Sequence, residues 1–153
     1  MAGTFSQIYI QLVFAVRGRE NLIHSEWEEE LYKYISGIVR NKEQKLIAIN
    51  GMPDHIHILI GMRPNCCLSD LVREIKKSSN QFINEKKLSN FKFQWQEGYG
   101  AFSYSRSSLD NVINYISHQK EHHKKQSFKE EYTSFLNKFQ IEFKDEYLFE
   151  WYK

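Results

Sequence analysis

The sequence has few of the residues that define several common protein classes. It holds two prolines and two cysteines in 153 residues, and the cysteines are the adjacent Cys66 and Cys67. Adjacent cysteines lack the spacing of a zinc site and do not easily bridge to each other, so we expect neither structural zinc nor a disulfide framework. No apolar run could span a bilayer and no signal-peptide pattern is present, so we expect a cytoplasmic protein.

Charge of one sign is also scarce. The net charge is only +2, while 26% of the residues are charged and 41% are hydrophobic. These proportions are those of an ordinary globular protein, and the length predicts a single domain over residues 1–153. The net charge is low for a nucleic-acid binder, but Arg73, Lys76 and Lys77 cluster in one predicted helix. We take them as a weak candidate surface for DNA, with a solvated helix face as the alternative.

Hydrophobic periodicity predicts an α+β fold. Residues 5–16 alternate as in a strand, and residues 45–49 lead through a turn into an apolar strand that begins near His55. Helical spacing recurs over residues 27–38 and 68–83, and strand character returns at 91–96 and 98–105. The order resembles a ferredoxin-like or RRM-like sandwich, with a four-stranded antiparallel sheet, helices on one face and two further helices at the C-terminal end. The histidine strand should be central.

Two segments match the capping box, in which a serine and a glutamate three residues later satisfy the first amides of a helix. They are Ser25 with Glu28 and Ser127 with Glu130. They predict the starts of the first helix and of the C-terminal helix.

The segment His55-Ile56-His57 places two histidines on the same face of a strand, because side chains at i and i+2 point the same way. Taken alone, such a pair is more often two half-buried histidines than a metal site. We read Asp54, which follows Pro53, first as a turn residue, with orientation of the neighbouring histidine as the alternative.

A second group of polar residues lies about sixty positions later. Tyr115 and Gln119 are four apart in a helical stretch, so both project from one side of the helix. His122 and His123 follow, and we interpret them first as solvated helix surface, with a substitute metal ligand or a phosphate contact as the alternative. Two imidazoles and an amide oxygen from His55, His57 and Gln119 form a ligand set for Mg²⁺ or Mn²⁺ that leaves positions open for phosphate oxygens. Beside such a site, Tyr115 is a candidate nucleophile for phosphodiester transesterification.

Together these motifs resemble the single-tyrosine HUH transposases of the IS200/IS605 group, including their REP-associated relatives. The opening strand at residues 8–17, the histidine pair, the segment 98–105 and the Tyr115 helix all match in order and spacing. The resemblance implies a DNA transposase that cleaves and rejoins single-stranded DNA through a 5′-phosphotyrosine at Tyr115. It also implies hairpin ends on the DNA and a homodimer, in which Tyr115 and Gln119 of one bacterial chain complete the histidine pair of the other.

Two alternatives remain at this point. One is a domesticated nuclease that processes single-stranded repeats without moving an element. The other is a non-catalytic nucleic-acid-binding module whose histidines are incidental, which would leave Tyr115 and Gln119 unexplained.

Overall fold

A computed structural model describes residues 3–152, so residues 1, 2 and 153 of the predicted single domain lie outside the described part of the chain. The strands are β1 (Tyr9–Ala15), β2 (Lys45–Met52), β3 (His55–Gly61) and β4 (Gly100–Tyr104). The helices are α1 (Glu28–Asn41), α2 (Leu68–Glu85), α3 (Leu109–Ser117), α4 (Gln119–His122) and α5 (Phe128–Lys138). Among the helices described, none has both the length and the apolar character needed to cross a membrane.

The four strands form one antiparallel sheet in the order β2-β3-β1-β4. This is the ferredoxin-like order, so the predicted fold class and the central place of the histidine strand are confirmed. His57 lies opposite Val13 of β1 on one side and opposite Asn50 of β2 on the other. The histidine strand is therefore held by hydrogen bonds along both edges.

The alternation of β3 divides its side chains between two layers of helices. Ile56, Ile58 and Ile60 join residues of α1 and α2 in the main hydrophobic core. Leu59 packs instead with Leu109, Val112 and Ile116 of α3. His55 and His57 share the face of Leu59, so the histidine pair faces the layer that carries the later helices, away from α1 and α2.

One predicted strand is wrong. Of residues 91–96, only Trp95 makes a β-bridge, an isolated one with Val16. The backbone of Phe93 pairs with a side chain instead, because Asn84 of α2 accepts from its N–H at 2.7 Å and donates to its carbonyl at 3.1 Å. Phe93 itself is fully buried. An alternating apolar pattern here reflects a loop fastened to α2 and not a strand of the sheet.

One of the two predicted capping boxes is present. Ser127 accepts from the amide of Glu130 and the Glu130 carboxylate accepts from the amide of Ser127, which starts α5 as predicted. The Ser25 box is wrong, because α1 begins only at Glu28 and has no side-chain cap. The amides of Trp27 and Glu28 donate to the carbonyl of His24, so a backbone turn replaces the serine.

Lys76 of α2 is directed into the protein. Its ammonium donates to the carbonyls of Gln96 and Gly98 at 2.9 and 2.6 Å and lies 5.3 Å from the ring centre of Phe14. Burial lowers its pKa to about 8. These contacts hold the loop before β4, whereas Lys77 on the next position is exposed.

Replacing Lys76 with methionine should therefore destabilise the fold, because two loop carbonyls lose their donor. We expect a loss of about 1–3 kcal/mol in the free energy of unfolding, measured by urea denaturation. The same change at the exposed Lys77 should shift it by less than about 0.5 kcal/mol. Equal effects at the two positions would contradict the role given to Lys76.

Candidate active site and metal centre

His55 and His57 are both fully buried on the inner face of β3. The Nδ1 atom of His55 lies 2.7 Å from an Asp54 carboxylate oxygen, and that of His57 lies 2.7 Å from the amide oxygen of Gln11. With an oxygen beside each Nδ1, each ring is oriented so that its Nε2 is directed inward to the site. Gln11 is held in turn, because its amide donates to the Tyr104 hydroxyl at 2.7 Å.

The carboxylate of Glu131 lies at the centre of this group. Its Oε1 atom is 3.3 Å from His55 Nε2, 3.0 Å from His57 Nε2 and 3.2 Å from His123 Nε2. Glu131 is buried, with 2% of its surface exposed. An isolated buried carboxylate would be costly, so these contacts are what allow Glu131 to face the interior.

Aromatic packing positions α5 so that Glu131 reaches the histidines. Phe128 stacks on the His55 ring with 3.8 Å between ring centres and 2° between planes. Phe135 lies against both His57 and Tyr115, at 6.1 and 5.8 Å. Phe128, Glu131 and Phe135 share one helix face because they are three and four residues apart. The capping box at Ser127 sets the start of that face.

Tyr115 and Gln119 come to the same carboxylate from the other side. The Tyr115 hydroxyl donates to Glu131 Oε2 in a short hydrogen bond, and the Gln119 amide donates to the same oxygen at 3.0 Å. The amide oxygen of Gln119 lies 3.3 Å from His55 Nε2. A break at His118 separates α3 from α4, yet both side chains still face Glu131.

Electrostatics in the site follow from burial and from this network. Burial opposes the charged form of Glu131, but the three histidines outweigh it and hold the pKa of Glu131 well below its usual range. Burial also opposes protonation of His55, but Asp54 and Glu131 raise its pKa, whereas burial lowers the pKa of His57. Burial, then the Glu131 charge, raises the pKa of Tyr115. The Tyr115 hydroxyl is therefore a proton donor in this arrangement.

The residues present fit a divalent cation. Nitrogen atoms of His55 and His57 and a carboxylate oxygen of Glu131 lie within 4.8 Å of one another, all buried. Both histidines are oriented through Nδ1, the arrangement that ligating histidines adopt when their other nitrogen binds a metal. Two imidazoles and a carboxylate suit several divalent ions, so the donor set does not select one of them.

The structure brings together four residues that the sequence predicted for the site. Tyr115, His55, His57 and Gln119 all lie around Glu131 within one chain. The basic residues of α2 are not part of this cluster, because α2 packs on the opposite face of the sheet. Arg73 pairs with Asp70 at 3.0 Å, Lys76 holds the loop carbonyls, and a role of α2 in DNA binding stays a prediction.

Sequence reasoning left Glu131, Asp54, Gln11 and His123 out of the site. Glu131 left one signal, since it is a charged residue on an otherwise apolar helix face between Phe128 and Phe135. Gln11 left a similar one as a polar residue within an apolar strand. Asp54 lies 2.7 Å from His55 Nδ1 and orients the ring, which is the role that the sequence ranked second to a turn residue. His123 has 6% of its side chain exposed and contacts Glu131, so the expectation of solvated surface was wrong for it.

The chain resembles known transposases in sequence and in structure. A family model described as "Transposase IS200 like" matches residues 4–119. The ISDra2 transposase TnpA of Deinococcus radiodurans is 23% identical over 122 residues, which are 76% of this chain and 87% of that protein.

Two solved structures share the fold. A transposase from Deinococcus radiodurans R1 aligns with a TM-score of 0.61 at 21% identity, over 78% of this chain and 95% of that one. A REP-associated tyrosine transposase bound to a REP hairpin aligns with a TM-score of 0.55 at 18% identity, over 77% and 72% of the two chains.

The metal centre predicts a specific pattern of cation affinity. In calorimetric titration with Mn²⁺, His57→Ala should lose measurable binding, because it removes a ligand nitrogen. Asp54→Ala should weaken binding about 10- to 100-fold, because it frees the His55 ring without removing it. His24→Ala is the matched control, since His24 is exposed. Unchanged affinity in His57→Ala would place the cation elsewhere.

Proposed function

The chain belongs to the IS200-like transposase family, and on that premise we propose that it cleaves and rejoins single-stranded DNA by transesterification at Tyr115. One observation carries the proposal. The hydroxyl of a tyrosine, two inward-facing histidine nitrogens and an amide converge on one buried carboxylate. A non-catalytic binding module would have no need for a nucleophile beside an oriented pair of ligands.

His55, His57 and Glu131 are the proposed metal ligands, with Gln119 beside them. We rank Glu131 ahead of Gln119 as the third ligand, because its Oε1 lies near both histidine nitrogens while the Gln119 oxygen lies near His55 only; Gln119 stays a predicted ligand. A bound Mg²⁺ or Mn²⁺ would polarise the phosphodiester and offset the negative charge that builds on its oxygens. The two oxygens of Glu131 have different partners: Oε1 faces the histidines and Oε2 faces Tyr115.

Tyr115 needs to lose its proton to attack. Its O–H bond is directed at Glu131 Oε2, and this contact orients the hydroxyl. Because the pKa of Glu131 is held low and that of Tyr115 is raised, the carboxylate is the positioning group and the proton passes to solvent as the phenolic oxygen attacks. The phenolic oxygen forms a bond to phosphorus while the bond from phosphorus to the 3′ oxygen breaks. The products are a 5′-phosphotyrosine and a 3′-hydroxyl, which takes its proton from solvent. The reverse attack by another 3′-hydroxyl would rejoin strands and release Tyr115.

Hairpin-bearing single-stranded DNA is the proposed substrate. The REP-associated relative is described as bound to a REP hairpin, and a similar partner is expected here. Arg73 and Lys77 of α2 are exposed on the far face of the sheet from Tyr115. If α2 contacts DNA, it would contact the hairpin and not the bond that is cleaved.

Changing Tyr115 to phenylalanine should abolish the covalent adduct while leaving DNA binding largely intact, because only the nucleophilic oxygen is lost. The test is a denaturing gel with labelled single strands from the DNA that flanks the gene, in Mg²⁺ or Mn²⁺. Tyr147→Phe is the matched control, because Tyr147 is 78% exposed. An adduct that persists in Tyr115→Phe would refute the assigned nucleophile.

The same assay separates a site built within one chain from a site shared between the subunits of the predicted homodimer. The resemblance implies a shared site, so we expect mixtures of Tyr115→Phe and His57→Ala chains to recover adduct; a site built within one chain, as the cluster around Glu131 allows, would leave the mixtures inactive. In a shared site, the histidines of the first variant and the tyrosine of the second would form one intact centre. Recovery of adduct on mixing would therefore show sharing between subunits.

A further inference from the structure

A cavity of about 560 Å³ opens beside Tyr115, between β4, α3 and α5. Tyr115 and Glu131 form part of its wall, so it is continuous with the reacting groups. Its volume falls within the range of about 300–1,000 Å³ that small-molecule pockets occupy. The cavity is therefore large enough to hold part of the substrate next to the nucleophile.

The chemistry of the lining fits a nucleotide. Tyr104, Phe135 and Phe139 contribute aromatic surface, and Asn111 and Gln126 contribute amides that can both donate and accept. The lining contains two charged residues, the cationic Lys138 and the anionic Glu131. A nucleobase needs flat apolar contact for its faces and mixed hydrogen-bonding groups for its edges. A purely apolar ligand would leave these amides unpaired.

One side of the wall is rigid. Gln11 is held between His57 and the Tyr104 hydroxyl, and burial raises the pKa of Tyr104 to about 12, so the hydroxyl stays protonated. Phe139 packs edge-on against the Tyr104 ring, with 5.5 Å between ring centres. The aromatic surface is thus already in place before any ligand enters, which lowers the entropic cost of binding.

The other side of the wall comes from a part of the chain beyond the family match. The match ends at residue 119, whereas Gln126, Ser134, Phe135 and Lys138 lie after it. The groups available to contact a base therefore come both from within the match, as Tyr104 and Asn111 do, and from the C-terminal segment after it.

We propose that this cavity binds the base of the nucleotide adjoining the phosphodiester that Tyr115 attacks. The inference rests on the proposed function, because it uses Tyr115 as the nucleophile. The attacked phosphorus must lie at the Tyr115 hydroxyl, and the cavity starts at that side chain. The nucleotide on one side of the attacked phosphate is consequently the part of the strand that can reach it.

The test combines a substitution that fills the cavity with a series of DNA strands that each lack one base. Ser134 is exposed at the lining of the cavity, so Ser134→Trp should fill the space without disturbing the core. Asn137→Trp places the same side chain on an exposed position of α5 outside the lining. Both are made in the full chain carrying Tyr115→Phe, so that binding is measured without cleavage. Single strands from the flanks of the gene carry an abasic residue at each position in turn.

In the parent chain, which carries Tyr115→Phe alone, an abasic residue at one position of the strand should lower the affinity for that strand about 10-fold, as expected for the loss of one stacked base. Ser134→Trp should weaken binding of the intact strand by a similar factor and abolish the sensitivity to that abasic position. Asn137→Trp should match the parent. In chains with Tyr115 intact, the sensitive position should adjoin the bond at which the adduct maps.

The outcomes separate the pocket from the proposed function. If Ser134→Trp keeps the same abasic binding profile as its Tyr115→Phe parent while the chain with Tyr115 intact forms the adduct, the pocket is overturned and the transesterase stands. A sensitive position remote from the cleaved bond would also overturn it. Failure of the chain with Tyr115 intact to form any adduct would overturn the proposed function, while the binding profile would still decide whether the cavity holds a base.

Discussion

Burial of the Glu131 carboxylate is the constraint on which the rest of the site depends. Removing an ionised carboxylate from water costs several kcal/mol unless its oxygens are paired. Here Oε1 faces three histidines and Oε2 accepts from Tyr115 and Gln119. These partners come from β3, from α3 and from the segment around α4, so the carboxylate stays inside only while all of these elements are correctly placed around α5.

Aromatic side chains pack closely around the Glu131 carboxylate and its partners. Phe128 covers His55, and Phe135 lies between His57, Tyr115 and Phe102. Tyr132 approaches β4 so closely that a Cβ on Gly100 would lie 2.7 Å from its hydroxyl oxygen, which explains why glycine stands there. Exclusion of water around the carboxylate strengthens each of its electrostatic contacts. The same packing therefore positions the reacting groups and increases the energy of their interactions.

Local sequence patterns predicted which side chains share a face of a strand or helix. They did not predict the features that depend on tertiary contacts. The two-residue period placed His55 and His57 on one face, and the i to i+4 spacing brought Tyr115 and Gln119 to one side despite the break at His118. Periodicity could not distinguish the Phe93 loop from a strand, because its backbone is satisfied by the side chain of Asn84, nine residues earlier near the end of α2. Nor could it show that Lys76 turns inward or which groups Glu131 would meet, since those partners belong to other elements of the fold.

The attachment of α3 and α4 to the sheet bears on whether the site is built in one chain. Asn50, directly opposite His57 in the sheet, donates to the carbonyls of Ile116 and Ser117 at 3.0 and 3.3 Å. Lys120 donates to the carbonyl of Gly51 and to Glu28. A helix that reached a partner's histidines would break these bonds, and it would also remove two donors from the buried Glu131. Such an exchange is close to neutral only if the partner restores every one of these contacts, so sharing would need an additional interface to favour it.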